Sequence, residues 1–306
     1  MKKVIITGGT GFIGRALASS LTKDGYQIIV LSRQPANVSG LPAGVQIEQW
    51  DARTGANWSR VIDRDTAIIN LAGENIGDPP LPWWLPGRKE RIRTSRINAG
   101  RAVVDAVQAA SEKPTLVIQA SGINYYGLSY RVVSEQDPAG ADFMARVCVE
   151  WEASTAPVET LGVRRIVIRT APVLAGKGGL FKFFALPFRL FVGGPLGDGK
   201  QWLSWIHLDD QVGAIRFLLE NKNARGIYNL TAPNPLTNSE FGRVLGRVLK
   251  RPYWFPTPAF ALKLAFGELG TVMVLGSQRV LPQRLLDAGY EFKFADAEST
   301  VRDVTR

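Results

Sequence analysis

Cysteine is almost missing from this 306-residue chain: Cys148 stands alone, which excludes an intrachain disulfide framework. Histidine is equally scarce. His207 and Cys148 lie far apart in sequence, so no zinc-type ligand spacing exists and no metal is expected. No uncharged apolar run is long enough to span a bilayer, and no membrane span is expected. No secretory h-region precedes the first apolar run, so the expected setting is cytoplasmic, or an organelle interior if a transit segment has been removed. Internal repeats and low-complexity tails are absent. Acidic residues are the minority charge: 37 Lys and Arg against 27 Asp and Glu leave +10, which favours anionic ligands or surfaces. Yet the basic residues are scattered. Only Arg88-Lys89-Glu90-Arg91-Ile92-Arg93 forms a cluster, read as a solvated helix face, and no nucleic-acid partner is expected because no recognised module appears.

What is present is organised around the N-terminus. Val4-Ile5-Ile6 is a buried strand that turns through Thr7-Gly8-Gly9-Thr10-Gly11-Phe12-Ile13-Gly14 into a helix with Phe12, Ile13, Ala16, Leu17 and Leu21 at helical spacing. Gly9-x-Gly11-x-x-Gly14, with a strand before it and a helix after it, allows a tight turn, close approach of main chain to a diphosphate, and close helix-to-strand packing. Gly8, Gly9, Thr10, Gly11, Phe12, Ile13 and Gly14 are therefore candidate cofactor contacts.

Further strands are expected at 26–31, 45–50, 66–73, 115–120, 165–170 and 226–230, with helices near 91–110, 142–156 and 211–220, the last capped by Asp209 or Asp210. Alternating strands and helices imply a parallel, doubly wound α/β sheet with ligands at the strand carboxyl ends. At the end of the second strand no acid is present to accept from an NAD ribose. Ser32 and Arg33 stand there instead, suited to a 2′-phosphate, so NADP(H) is the expected cofactor. Asp51 could take the adenine amino group, and Leu71-Ala72-Gly73 offers small residues where backbone approaches a flat cofactor. Ser121, Tyr125 and Tyr126 follow the fifth strand at the same sheet edge, where a hydroxyl polarising a carbonyl and a phenol protonating it would serve hydride transfer. The alternative is that both tyrosines only pack. The Pro-rich 78–87 loop carries Trp83-Trp84, which either wall a pocket or pack beneath the loop, and His207 reads as a structural residue beside a helix cap. Beyond 233 mostly helices are expected, one starting with Asn238 as cap and others over 260–266 and 277–288.

These residues together resemble the extended short-chain dehydrogenase/reductase superfamily, most closely its atypical branch of epimerase family proteins, also labelled cell-division-inhibitor-like. The marks are ThrGlyGlyThrGlyPheIleGly at 7–14, SerArg at 32–33, AsnLeuAlaGlyGlu at 70–74, SerArgIleAsn at 95–98, TyrTyrGly at 125–127, TrpGlu at 151–152, GlyGlyPro at 193–195, TrpIleHisLeuAspAsp at 205–210 and LeuProGlnArg at 281–284. The resemblance implies a Rossmann NADP-binding domain over 1–170, rejoined by 205–230, and a smaller, mainly helical substrate lobe over 171–204 and 231–306. Glu74 and Asn98 from these marks, with Arg169 on the sixth strand, join the cofactor candidates. A small-molecule substrate and a homodimer are further expectations the superfamily carries.

One departure stands out. The superfamily's Tyr-x-x-x-Lys pair is absent, and Phe143-Met144-Ala145-Arg146-Val147 occupies the helix where it should sit. Ionising an isolated tyrosine to an even balance at neutral pH needs about 4 kcal/mol of help. Three functions therefore stand: an NADP-dependent epimerase-like oxidoreductase, an NADP-binding regulatory protein without catalysis, or a division or membrane-associated scaffold, suggested only by the family label and the positive charge.

Overall fold

The computed structural model describes residues 2–55, 57–76, 85–176, 178–179 and 181–306. The Trp83-Trp84 pair lies outside them. Seven strands, β1 (Lys3–Thr7), β2 (Gln27–Ser32), β3 (Gln46–Gln49), β4 (Thr66–Asn70), β5 (Leu116–Gly122), β6 (Arg164–Thr170) and β7 (Gly226–Leu230), form one sheet in the order β3-β2-β1-β4-β5-β6-β7. Every pairing is parallel. The strands are apolar on both faces, as a sheet covered twice requires: Val4, Ile6, Val30 and Ile69 enter one core, while Ile5, Ile29 and Ile68 enter the other.

The described helices are α1 (Phe12–Lys23), α2 (Pro86–Ala109), α3 (Phe143–Ala153), α4 (Phe181–Arg189), α5 (Leu208–Glu220), α6 (Asn238–Leu249), α7 (Ala259–Met273), α8 (Gln283–Asp287) and α9 (Ala297–Val304). Helices α1 and α5 close the first core, and α2 closes the second. A third core gathers Phe181 and Phe188 of α4, Phe241 and Leu245 of α6 and Val301 of α9 around Trp205.

Several local expectations change. The cap of α5 is His207, whose Nδ1 accepts from the Asp209 amide at 3.1 Å, because Asp209 and Asp210 already lie in the first turn. The α6 cap is Thr237 rather than Asn238: its hydroxyl accepts from the Glu240 amide, and Glu240 accepts from the Thr237 amide at 2.7 Å. Over 277–288 the chain is first a strand, Gln278–Val280, paired with Ser129–Val133, and only then the short α8. Local pattern does not reveal this because the partner strand is distant and half exposed. The basic cluster is a solvated face only in part, with Glu90 and Arg91 exposed and Arg88 turned inward. Arg88 is buried against the Ile76 carbonyl, and Lys89, Arg91 and Arg93 pair with Glu268, Glu74 and Glu150.

The 205–210 motif ties the C-terminal segment to the sheet. Asp210, buried in α5, accepts from the Lys293 and Phe294 amides at 2.8 Å each and from the Tyr290 hydroxyl. His207 Nε2 lies 3.2 Å from Asp303, and its ring packs on Phe294.

Candidate active site

Strand order reverses between β1 and β4, and their carboxyl ends are where a doubly wound sheet opens a binding crevice. The glycine turn after β1 and the Leu71–Gly73 segment after β4 meet there. Gly8 sits at φ +66°, and a Cβ on it would lie 2.7 Å from the Leu71 carbonyl oxygen. A Cβ on Gly14 would come within 2.4 Å of the Gly8 oxygen, so only hydrogen fits between turn and helix. The Gly11 amide closes the turn on Gly8 at 2.9 Å. Helix α1 begins with no side-chain cap and no acid in its first turn, leaving the first-turn amides and the positive end of the dipole for an outside anion. This cradle fits a dinucleotide diphosphate. Phe12 and Ile13 are half-buried against the core, and the loop after β6 lies on the Phe12 ring, where a Cβ on Gly178 would be 2.8 Å away. Thr10 presents its carbonyl to Arg15 Nε at 2.7 Å, and Arg15 also donates to the Ser39 carbonyl. Arg15 thereby joins the glycine turn to the loop beyond β2, a role no sequence motif signals.

Around that loop, Ser32 Oγ accepts from the Gln34 amide and the Arg33 carbonyl from Gln49 Nε2, while the Arg33 side chain is exposed. Asp51 is turned to its own loop: its carboxylate accepts from the Arg53 and Thr54 amides at 2.8 Å each. Burial would raise its carboxyl, but these bonds outweigh it and hold it low. Beneath Leu71 to Gly73, Thr7 Oγ1 donates to Asn70 at 2.5 Å and Asn70 donates to Gln119 at 2.8 Å, crossing β1, β4 and β5. The Ala72 amide rests on Thr7 Oγ1, and a Cβ on Gly73 would lie 3.1 Å from the Arg96 guanidinium carbon. Burial lowers that arginine to about 10, and it stacks on Trp151. The Glu74 amide donates to Ser95 and its carboxylate pairs with Arg91; Asn98 is half-buried on α2.

The catalytic candidates belong to a buried network set by sheet register. Arg169 of β6 faces Ser121 of β5 on one side and Asn229 of β7 on the other. Its Nε and Nη2 grip Glu152 of α3 at 2.8 and 2.9 Å, and its Nη1 donates to the Tyr126 hydroxyl at 2.9 Å. Tyr126 in turn donates to Asn229 Oδ1 at 2.7 Å. Ser121 donates to Glu152 at 2.7 Å, since a carboxylate held by arginine can only accept. Burial opposes charge on Arg169, but the two-point bond to Glu152 outweighs it and holds the guanidinium above its usual range. Burial pushes the Tyr126 phenol up to about 12 despite Arg169.

Ser121 and Tyr126 thus spend their protons inside the protein. Tyr125 differs: half-buried, it lays its ring over Arg169, with the guanidinium carbon 3.2 Å from the ring centroid, and its hydroxyl has no hydrogen bond among the described residues. Arg146 is exposed and donates back to the Ala141 carbonyl, so it does not stand in for the missing lysine. The residues that sequence reasoning gave no role are Glu152 and Asn229. Glu152 lay within a quoted motif, whereas Asn229 carries no sequence signal. Among the described residues no cluster of His, Cys, Asp and Glu could hold a metal ion.

Comparison with known proteins agrees with this architecture. Residues 257–304 match a domain of unknown function, DUF1731. The chain is 39% identical over 98% of its length to the epimerase family protein SDR39U1 homolog, chloroplastic, of Arabidopsis thaliana, covering 86% of that protein. It is 36% identical to epimerase family protein YfhF of Bacillus subtilis, covering 96% and 95% of the two chains. The crystal structure of human epimerase family protein SDR39U1 with NADPH superposes with a TM-score of 0.87 at 31% identity, over 99% of both chains. UDP-glucose 4-epimerase of Thermus thermophilus shares the fold at 17% identity and a TM-score of 0.75. Residues 4–231 match the NAD dependent epimerase/dehydratase family model, and with relatives of this similarity along nearly its whole length the chain belongs to that family.

Proposed function

We propose that the protein binds NADP(H) and exchanges hydride with a small carbonyl or sugar-type substrate, Tyr125 supplying the proton. The observation that carries this reading is the division of labour between adjacent phenols: Tyr126 is bonded to Arg169 and Asn229, while the Tyr125 hydroxyl, above the same guanidinium, is unengaged among the described residues. The glycine cradle would take the diphosphate, and Ser32 and Arg33 the 2′-phosphate, a choice the NADPH of the human relative supports. The reduced nicotinamide, when held there, would supply the hydride for the carbonyl carbon. Tyr125 Oη then gives its proton to the carbonyl oxygen, completing an alcohol, and solvent returns a proton to the phenolate. Ser121 and Glu152 are positioning residues that fix Arg169 beneath the ring.

A second reading, an NADP(H)-binding regulatory protein without turnover, draws on the commitment of Ser121 and Tyr126 to the buried network and on the missing Tyr-x-x-x-Lys. NADPH oxidation followed over a panel of aldehydes, ketones and nucleotide sugars decides between them. Turnover abolished in Tyr125→Phe supports the enzyme; firm NADPH binding with no turnover on any substrate supports the regulator.

A further inference from the structure

The C-terminal half carries a surface that none of the three cores accounts for. Leu190, Phe191, Trp254, Phe255, Phe260 and Leu264 are each more than half exposed, from 53% for Phe191 and Phe255 to 78% for Leu264. Phe191, Trp254 and Phe255 are neighbours in space. The Trp254 indole donates to the Phe191 carbonyl at 2.8 Å, and the Trp254 and Phe255 amides both donate to Gly193. Thr257 bridges to Leu196, and α7 starts two residues later, placing Phe260 and Leu264 one helical turn apart on its outer side. Scattered exposed side chains need no explanation, but a contiguous aromatic patch does.

Backbone conformation makes the patch more pointed. Helix α4 ends with the Phe191 amide on Phe188 and the Val192 amide on Pro187, a termination whose left-handed residue is usually glycine. Here that residue is Phe191, at φ +62°. Glycine would relieve the strain, and the chain instead keeps an aromatic side chain there and turns it to solvent.

Charge decides what this surface would meet. Neither 181–197 nor 250–267 contains a single Asp or Glu, while Lys182, Arg189, Lys250, Arg251 and Lys263 lie among them, all exposed and none in an ion pair among the described residues. Arg251 stacks on the Phe191 ring, its guanidinium carbon 4.5 Å from the centroid. A second copy of the chain would bring five cations against five across a two-fold axis, which like-charge repulsion opposes. A bilayer with anionic headgroups offers acyl chains to the aromatics and phosphates to the cations. No described helix is long and apolar enough to cross a membrane.

We infer that the α4 end, the 251–258 loop and the first half of α7 form a docking surface for an anionic phospholipid bilayer, on which the protein lies without spanning it. The test is co-sedimentation of the full chain with vesicles of pure phosphatidylcholine and of phosphatidylcholine with 30% phosphatidylglycerol. The expected result is binding to the anionic vesicles, at least tenfold weaker on the neutral ones, weakened by salt, and reduced at least tenfold in both Trp254→Ala/Phe260→Ser and Lys250→Glu/Arg251→Glu. These positions are on the surface, and an unchanged melting temperature verifies folding. Absence of binding at low salt, or equal binding by the variants, overturns the inference. So does a concentration-dependent dimer abolished by Trp254→Ala/Phe260→Ser, which would make the patch a contact between copies.

Discussion

Glu152 and Arg169 face each other through two hydrogen bonds of 2.8 and 2.9 Å, both side chains buried, one from α3 and one from β6. Removing one partner of such a pair leaves the other charge buried and uncompensated. Glu152→Gln is therefore expected to lower unfolding stability by about 3–5 kcal/mol. Denaturant unfolding measures it, and a loss near zero would mean the pair is not closed in solution.

The adjacent phenols separate by the same logic. Tyr126→Phe strips a partner from Arg169 Nη1 and from Asn229 Oδ1, and is expected to cost about 2 kcal/mol of stability. Tyr125→Phe removes a hydroxyl with no partner among the described residues and should leave the melting temperature unchanged while abolishing any NADPH-dependent turnover. A stability loss in Tyr125→Phe as large as in Tyr126→Phe contradicts this assignment.

The proposed 2′-phosphate contact rests on Arg33, whose exposed side chain follows β2. A charge-assisted bond to a 2′-phosphate is worth about 1.5–3 kcal/mol, so Arg33→Ala should weaken NADPH binding roughly tenfold or more. NADH affinity should not move. Calorimetric titration with both nucleotides checks the prediction, and equal losses for the two would refute it.

His207 predicts a pH dependence of stability. Burial lowers its pKa below the ordinary 6.5, against the pull of Asp209, Asp303 and Asp210. In the window below 6.5 the unfolded chain binds the proton more readily, so stability from this residue is full above that value and declines as pH falls. His207→Asn keeps a capping acceptor for the Asp209 amide without titrating. Its stability should fall less steeply than the wild type's between pH 6.5 and 5 (roughly the span of histidine titration), as urea midpoints at each pH would record; parallel curves would count against the assignment.

Cys148 is fully enclosed beside Ser121 and Gly122, and burial pushes its thiol up to about 11. The thiolate is the reactive form, so a disulfide reagent at neutral pH should label the native protein only at the rate of unfolding. Rapid labelling of the folded chain would show the α3 and β5 packing to be open.

Much of this molecule is written locally. Uninterrupted Val and Ile runs specify strands buried on both faces, and three glycines at fixed spacing specify a tight turn, in which a Cβ on Gly14 would come within 2.4 Å of the Gly8 oxygen. The α/β class and the glycine turn were legible for that reason. The neighbourhood of the candidate catalytic residues was legible only in part. Ser121, Tyr125 and Tyr126 could be placed at the sheet edge, but which phenol stays free depends on Asn229, more than a hundred residues away.

By itself, then, the sequence determined the strands of the central sheet, their order of alternation with helices, and the glycine turn, because these follow from side-chain periodicity and steric limits within a few residues. Tertiary structure alone decided that Arg169 would stand in register between Ser121 and Asn229, that Glu152 would reach it from α3, and that Trp254 would bond beside Phe191. Strand register and helix docking join residues with no local relation, and it is those long-range contacts that determine where each proton and each charge is held.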